Sequence, residues 1–165
     1  MVKHKGQKGF TLMELLFTIA VAAIILSFGV PGFMSFIDNN RAVTHTNDLV
    51  TALNLARSEA TRRGSAVLVC SSSDGVECSG INDWSDGWVV QLAADGEVLR
   101  SWPKRSGGAG VVTADAAQVQ FRARGSVAGG TPQIGVQLEG CSGQQRRIVA
   151  VNGAGRISVS RVDCL

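Results

Sequence analysis

The sequence predicts an α+β chain: one long N-terminal helix, apolar enough in its first half to cross a membrane and amphipathic in its second, packed on a β-rich C-terminal head. Three observations carry that expectation. The run from Phe10 to Val30 holds a single charge, Glu14. Beyond it, Leu49, Leu53, Ala56 and Ala60 recur at helical spacing. From Ser65 onward, short apolar runs alternate with turn residues, as in antiparallel β-structure.

Residues 1–9 form a leader with Lys3, His4, Lys5 and Lys8 and no apolar core. Such a positive flank stays cytoplasmic and directs the following segment outward. At ~1.5 Å per residue, a helix over 10–30 spans roughly 31 Å, about one hydrocarbon core. Ala20-Val21-Ala22 offers a small-x-small cleavage site for a secretory signal, but Ile24, Ile25, Leu26 and Phe28 carry the apolar run past it. A plain anchor leaves Glu14 unexplained, because an acid within a lipid-facing helix costs up to roughly 2.5–3.5 kcal/mol and calls for a partner. No Lys, Arg or His lies between Phe10 and Val30, so that partner comes from outside the helix.

The string Gly9-Phe10-Thr11-Leu12-Met13-Glu14 with its apolar tail resembles the class III leader of type IV pilins and type II secretion pseudopilins. The resemblance implies that a prepilin peptidase and N-methyltransferase cuts after Gly9 and methylates Phe10. It also implies that Glu14 pairs with the Phe10 amine of a neighbouring subunit. On that reading the protein is first a single-pass inner-membrane protein with a periplasmic head, and then part of a pilus at the cell surface. Its partners are other major and minor pilins.

Residues 31–64 continue the helix. Pro31, between Gly29-Val30 and Gly32, predicts a kink or local loosening. Arg62 and Arg63 suit the last turn of a helix that begins near Thr11, and Gly64 is its expected C-cap. His45 reads as a surface or packing residue rather than a ligand. Residues 65–165 form the head, with strands predicted over 66–70, 88–93, 98–102, 119–123, 134–138, 147–151 and 156–160. Asp95-Gly96 and Asn152-Gly153-Ala154-Gly155 are the expected hairpin turns. Gly107-Gly108-Ala109-Gly110 and Gly129-Gly130 read as flexible loops.

Cys70, Cys78, Cys141 and Cys164 are an even set in a head placed across a membrane, which favours disulfides. Of the three connectivities, Cys70 with Cys78 and Cys141 with Cys164 joins sequence neighbours and staples the C-terminal hairpin. No close Cys-x-x-Cys spacing suggests zinc, and Asp83 and Asp86 lack the spacing of a calcium loop, so neither a metal nor another cofactor is expected. Without the three leader lysines, 13 of the chain's 16 basic residues remain, balancing its 13 acidic ones. The distribution is uneven: Ser65 to Leu99 holds Asp74, Glu77, Asp83, Asp86, Asp95 and Glu97 with no Lys or Arg, whereas Arg100 to Leu165 is predominantly basic. That polarity suits subunit contacts or an anionic ligand.

Asp83-Trp84-Ser85-Asp86-Gly87-Trp88, followed by a strand, an Asp-Gly turn and Val98-Leu99-Arg100, resembles the head of the GspH and FimT/FimU family of minor pilins and pseudopilins. Trp84, Trp88 and Trp102 read as core. No enzymatic signature is present, and a non-enzymatic minor pilin that primes or caps a filament is the expected function. The first alternative is a minor pseudopilin of a type II secretion system. The second is a DNA-uptake pilin, since some FimT-like minor pilins act in DNA uptake through a C-terminal Gly-Arg-x-Arg motif. Here the stretch is Gly155-Arg156-Ile157-Ser158, without the second arginine, and Arg146, Arg147 and Arg161 are the other candidates to contact double-stranded DNA. Strand parity sets Arg161 on the face of Ile157 and Val159, opposite Arg156.

Overall fold

The structure, a computed structural model, describes residues 10–104 and 110–165. Leader residues 1–9, including Gly9, and the Gly107-Gly108-Ala109 part of the predicted loop lie outside them. Helix α1, Leu12–Arg63, is continuous through Pro31 and ends where Gly64 adopts φ 65°, the left-handed C-cap conformation. The chain divides into two compact units between Ile37 and Asp38, so α1 belongs to both.

Over residues 12–30 the helix is exposed all round, with Phe17 and Phe28 among its bare side chains. Its hydroxyls are internally satisfied: Thr18 Oγ1 donates to the Leu15 carbonyl at 2.8 Å and Ser27 Oγ to that of Ile24 at 2.7 Å. Such back-bonding is what a helix in a medium without hydrogen-bonding partners requires.

In the C-terminal unit the predicted stripe is the core face of α1. Leu49, Leu53, Ala56 and Ala60 are fully buried, and Ala42, Thr46 and Ala52 extend the stripe. Two antiparallel sheets complete this unit. The five-stranded sheet has the order β3 (Val98–Pro103), β2 (Gly87–Leu92), β1 (Val67–Ser71), β5 (Gln118–Phe121), β6 (Val127–Ala128). The four-stranded sheet has the order β4 (Gly110–Ala114), β7 (Gln133–Leu138), β8 (Arg146–Val151), β9 (Ile157–Val162).

Two strands escaped the sequence pattern. Gly110, assigned above to a flexible loop, instead opens β4, and β6 is only two residues long. The run predicted to 123 stops at Phe121, where the β5–β6 turn begins and the Arg122 N–H donates to the Ser126 carbonyl.

The sheets share one core containing Trp84, Trp88, Trp102, Phe121, Ile134 and Val149. Segment Asn82–Ser85 laces along the outer side of β4. Trp84 N donates to the Val112 carbonyl, Ala114 N to that of Asn82, and Asp83 bridges Thr113. A fully buried Trp84 therefore fastens the entry to β2 of one sheet onto the edge of the other. The turns also meet: Val127 N donates to the Gly153 carbonyl, and the Gly155 α-carbon lies against the Gly125 carbonyl so closely that no side chain fits between them. Gly155 also has φ 78°, a left-handed conformation open to glycine.

Disulfides join Cys70 to Cys78 and Cys141 to Cys164, the pairing expected from sequence.

Candidate functional site

At the start of α1 the chain builds a helix N-terminus from Thr11-Leu12-Met13-Glu14. Thr11 is the N-cap: its Oγ1 accepts the Glu14 N–H at 3.2 Å, and its carbonyl accepts the Leu15 N–H at 3.1 Å. Thr-x-x-Glu is the capping-box spacing, a signal in the sequence that marks Thr11 as the N-cap. Glu14 thus sits in the first turn, at the positive end of the helix dipole. Favourable placement there contributes about 0.3–1 kcal/mol. That falls short of the desolvation cost of a carboxylate in lipid, up to roughly 2.5–3.5 kcal/mol. Phe10 is 78% exposed, immediately before the cap.

An 18-residue window of α1 has a mean hydropathy of 2.3, with none of it buried.

The second candidate surface is the β8–β9 hairpin. Its register is regular: Arg146 faces Val162, Arg147 faces Arg161, Val149 faces Val159 and Val151 faces Ile157. The expected parity holds, and it divides the four arginines. Arg156 is exposed at the turn, its N–H bonded to Asn152 Oδ1 at 2.9 Å. Arg146 is half-buried at the far end of the hairpin, its guanidinium lying over Gly135.

Arg147 is not a surface cation, contrary to the sequence reading. It shares the inward face of Val149 and Val151, is 4% exposed, and donates to the Gln145 carbonyl at 2.9 Å and to Asn39 Oδ1 of α1 at 2.8 Å. Burial, followed by the charge of nearby Arg161, lowers its pKa. The hairpin therefore does not gather its arginines into one phosphate-binding patch.

Around the acidic segment, Asp83 accepts the Ser85 N–H at 2.9 Å, and hydrogen bonds from Ser85 hold its carboxyl below the usual range. Asp86 pairs with Lys104 at 2.7 Å. Asp74 organises the loop closed by Cys70 and Cys78, accepting the N–H groups of Val76 and Glu77 and the Ser72 hydroxyl.

Comparison with known families and folds follows this division of the chain. Residues 45–155 match the family model described as type II transport protein GspH, and residues 4–30 match the prokaryotic N-terminal methylation motif. No curated protein sequence matches the chain. Two crystal structures of the type IV minor pilin FimU of Pseudomonas aeruginosa share the fold. One aligns with a TM-score of 0.61 at 20% identity over 76% of this chain and 92% of that one. The other aligns with a TM-score of 0.51 at 21% identity over 73% and 91%.

Proposed function

Because this chain belongs to the GspH family of type II transport proteins, with an N-terminal methylation motif ahead of its apolar helix, we propose that it is a non-enzymatic minor pilin. It is cut after Gly9 by a prepilin peptidase, methylated on Phe10, and inserted into a type IV pilus, where it primes or caps assembly. The observation that carries this reading is Glu14 in the first turn of α1, whose apolar first half is exposed, one turn from the residue that becomes the new N-terminus.

The mechanism follows from the shortfall in stabilising that carboxylate. Before assembly the protein rests in the inner membrane with its head in the periplasm, an oxidising compartment that suits its two disulfides. Cleavage releases an ammonium at Phe10. A neighbour's ammonium beside Glu14 neutralises the buried acid and fixes the axial register of two subunits, while the apolar helices bundle around the pair. An uncut chain has no such amine. Mass spectrometry of the native protein tests this: an N-terminus at methylated Phe10 is expected, and a chain beginning at Met1 or near Ala22 overturns it.

The family description favours one other reading, a minor pseudopilin of a type II secretion filament, which uses the same helix chemistry. Deleting the gene separates the two: loss of sheared surface filaments supports the pilus, and loss of exoprotein export with filaments intact supports the secretion system. A role in duplex DNA uptake would rest on Arg156, the exposed arginine at the hairpin turn. Salt-dependent binding by the full-length protein that disappears in Arg156→Ala is the corresponding test.

A further inference from the structure

A sheet edge presents unpaired N–H and C=O groups, and proteins close such edges with bulges, proline, very short strands or a covering segment. Among the described residues, three of the four sheet borders of the head are closed in these ways. β3 bulges opposite Val90 and Gln91 and ends at Pro103. β6 is two residues long, and its Val127 N–H is already given to the Gly153 carbonyl. β4 is covered by residues 82–85, which exchange main-chain hydrogen bonds with it. β9 has none of these devices: it runs for six residues in regular register with β8, without a bulge or a proline.

The side chains along this open edge are not neutral to what could cover it. Ile157, Val159 and Arg161 continue the inward row of Val151, Val149 and Arg147, strand to strand. The row leaves the core as it crosses to β9: Val149 is fully buried, whereas Val159 is 49% exposed and Arg161 is exposed. Arg161 directly opposes Arg147, and like charges in that position destabilise a sheet. Arg147 is almost wholly desolvated, and its partners, the Gln145 carbonyl and Asn39 Oδ1, offer dipoles but no charge. Among the described residues, neither guanidinium lies within ion-pair distance of a carboxylate. The edge therefore offers main-chain hydrogen bonds, an uncovered apolar side chain and a positive charge that the head leaves unanswered.

We propose that β9 is a docking edge for an extended strand of an unlike pilin, one that carries a carboxylate opposite Arg161 and an apolar side chain opposite Val159. Such a strand joins the four-stranded sheet as a fifth member and takes up the free main-chain groups of β9. Its apolar residue covers Val159, and its carboxylate accepts from the Arg161 guanidinium and offsets the repulsion from Arg147. A second β9 brings a further arginine and, within the strand, no acid. Pairing of like with like leaves the charge unanswered, so the edge selects a different chain. The inference rests on the filament-subunit reading above and extends it to the heads. An edge filled once, by an unlike neighbour, adds one subunit and does not propagate, which suits a subunit that primes or caps a filament.

The experiment uses the full-length chain in the membrane of its own cells, with a photo-cross-linking residue in place of exposed Ser160 and the N-terminus verified by mass spectrometry. An adduct to a different pilin is expected, mapped to an extended segment with an Asp or Glu within two residues of the cross-link. Arg161→Glu lowers its yield roughly tenfold or more, and exchanging the mapped acid for Lys restores it between the two charge-reversed chains. Val159→Thr, which keeps the shape and the strand preference, lowers the yield severalfold. Arg161→Glu also separates docking from a structural role: it gives Arg147 a carboxylate in place of a like charge, so the thermal midpoint of the full-length protein in detergent rises by a few degrees. An adduct to a second copy of this chain, to phospholipid or to DNA overturns the proposal. So does an adduct that maps away from any acid, a yield indifferent to Arg161→Glu, or a thermal midpoint that falls in that variant. A chain not trimmed after Gly9 overturns this proposal together with the filament reading. A trimmed chain lacking the adduct removes the docking edge alone.

Discussion

Gly155 combines two constraints that no other residue type meets together: a left-handed backbone and an α-carbon in contact with the Gly125 carbonyl. Gly155→Ala is expected to destabilise the head by about 2 kcal/mol or more, through the conformational penalty plus displacement of the β5–β6 turn. Thermal unfolding of the full-length protein measures it. Glu59 supplies a pH-dependent test. Hydrogen bonds from Arg62 at 3.0 Å and Arg63 at 2.7 Å pull its pKa from 4.5 to about 2. A depressed carboxylate contributes stability that is fully present above its unfolded pKa and is lost as pH falls through the folded one. Any advantage of the wild type over Glu59→Gln should therefore persist at neutral pH and fade between about 4.5 and 2, as followed by unfolding at each pH. At this scale the sequence was readable wherever parity or spacing was local. Thr-x-x-Glu marks the cap, and Arg147-x-Val149-x-Val151 has the local parity of an inward-facing row, although the sequence reading took Arg147 as a surface cation. The Asn39–Arg147 bond joins residues 108 apart and left no local signature.

Among elements, α1 was the most legible because its two halves follow different rules, continuous apolarity over 10–30 and a periodic stripe over 42–60. The hairpins β2–β3 and β8–β9 were legible from their turns. β4 was not, because it opens on glycine and is ordered by partners remote in sequence: β7 on one side and Asn82–Ser85 on the other. The two disulfides allow a quantitative comparison between elements. With sequence separations of 8 and 23, loop-closure entropy assigns about 2.5 kcal/mol to Cys70–Cys78 and about 3.4 kcal/mol to Cys141–Cys164. Replacing each pair by serines should therefore cost more for the second pair. Denaturant unfolding of the two variants checks the order, and a larger loss from the first pair would show that the Asp74 loop depends on its bridge for more than chain entropy.

For the whole molecule, the decisive variant is Glu14→Ala. It relieves the carboxylate of its cost in lipid, so membrane insertion should be undiminished while incorporation into filaments falls by an order of magnitude or more. Quantifying the protein in sheared filaments against membranes measures both at once, and normal incorporation would remove the basis of the assembly mechanism. The methylation motif over residues 4–30 was legible because such a signal is a short local string. The facing of Arg147 and Arg161 was not, since it exists only once β8 and β9 have paired. One further consequence comes from the way Trp84 is shared between the sheets. The strands cannot peel apart one layer at a time, because freeing the β4 border extracts an indole from the common interior. The head should accordingly melt as one cooperative unit, with slowly exchanging amides in β1, β7 and β8 released together in a single transition.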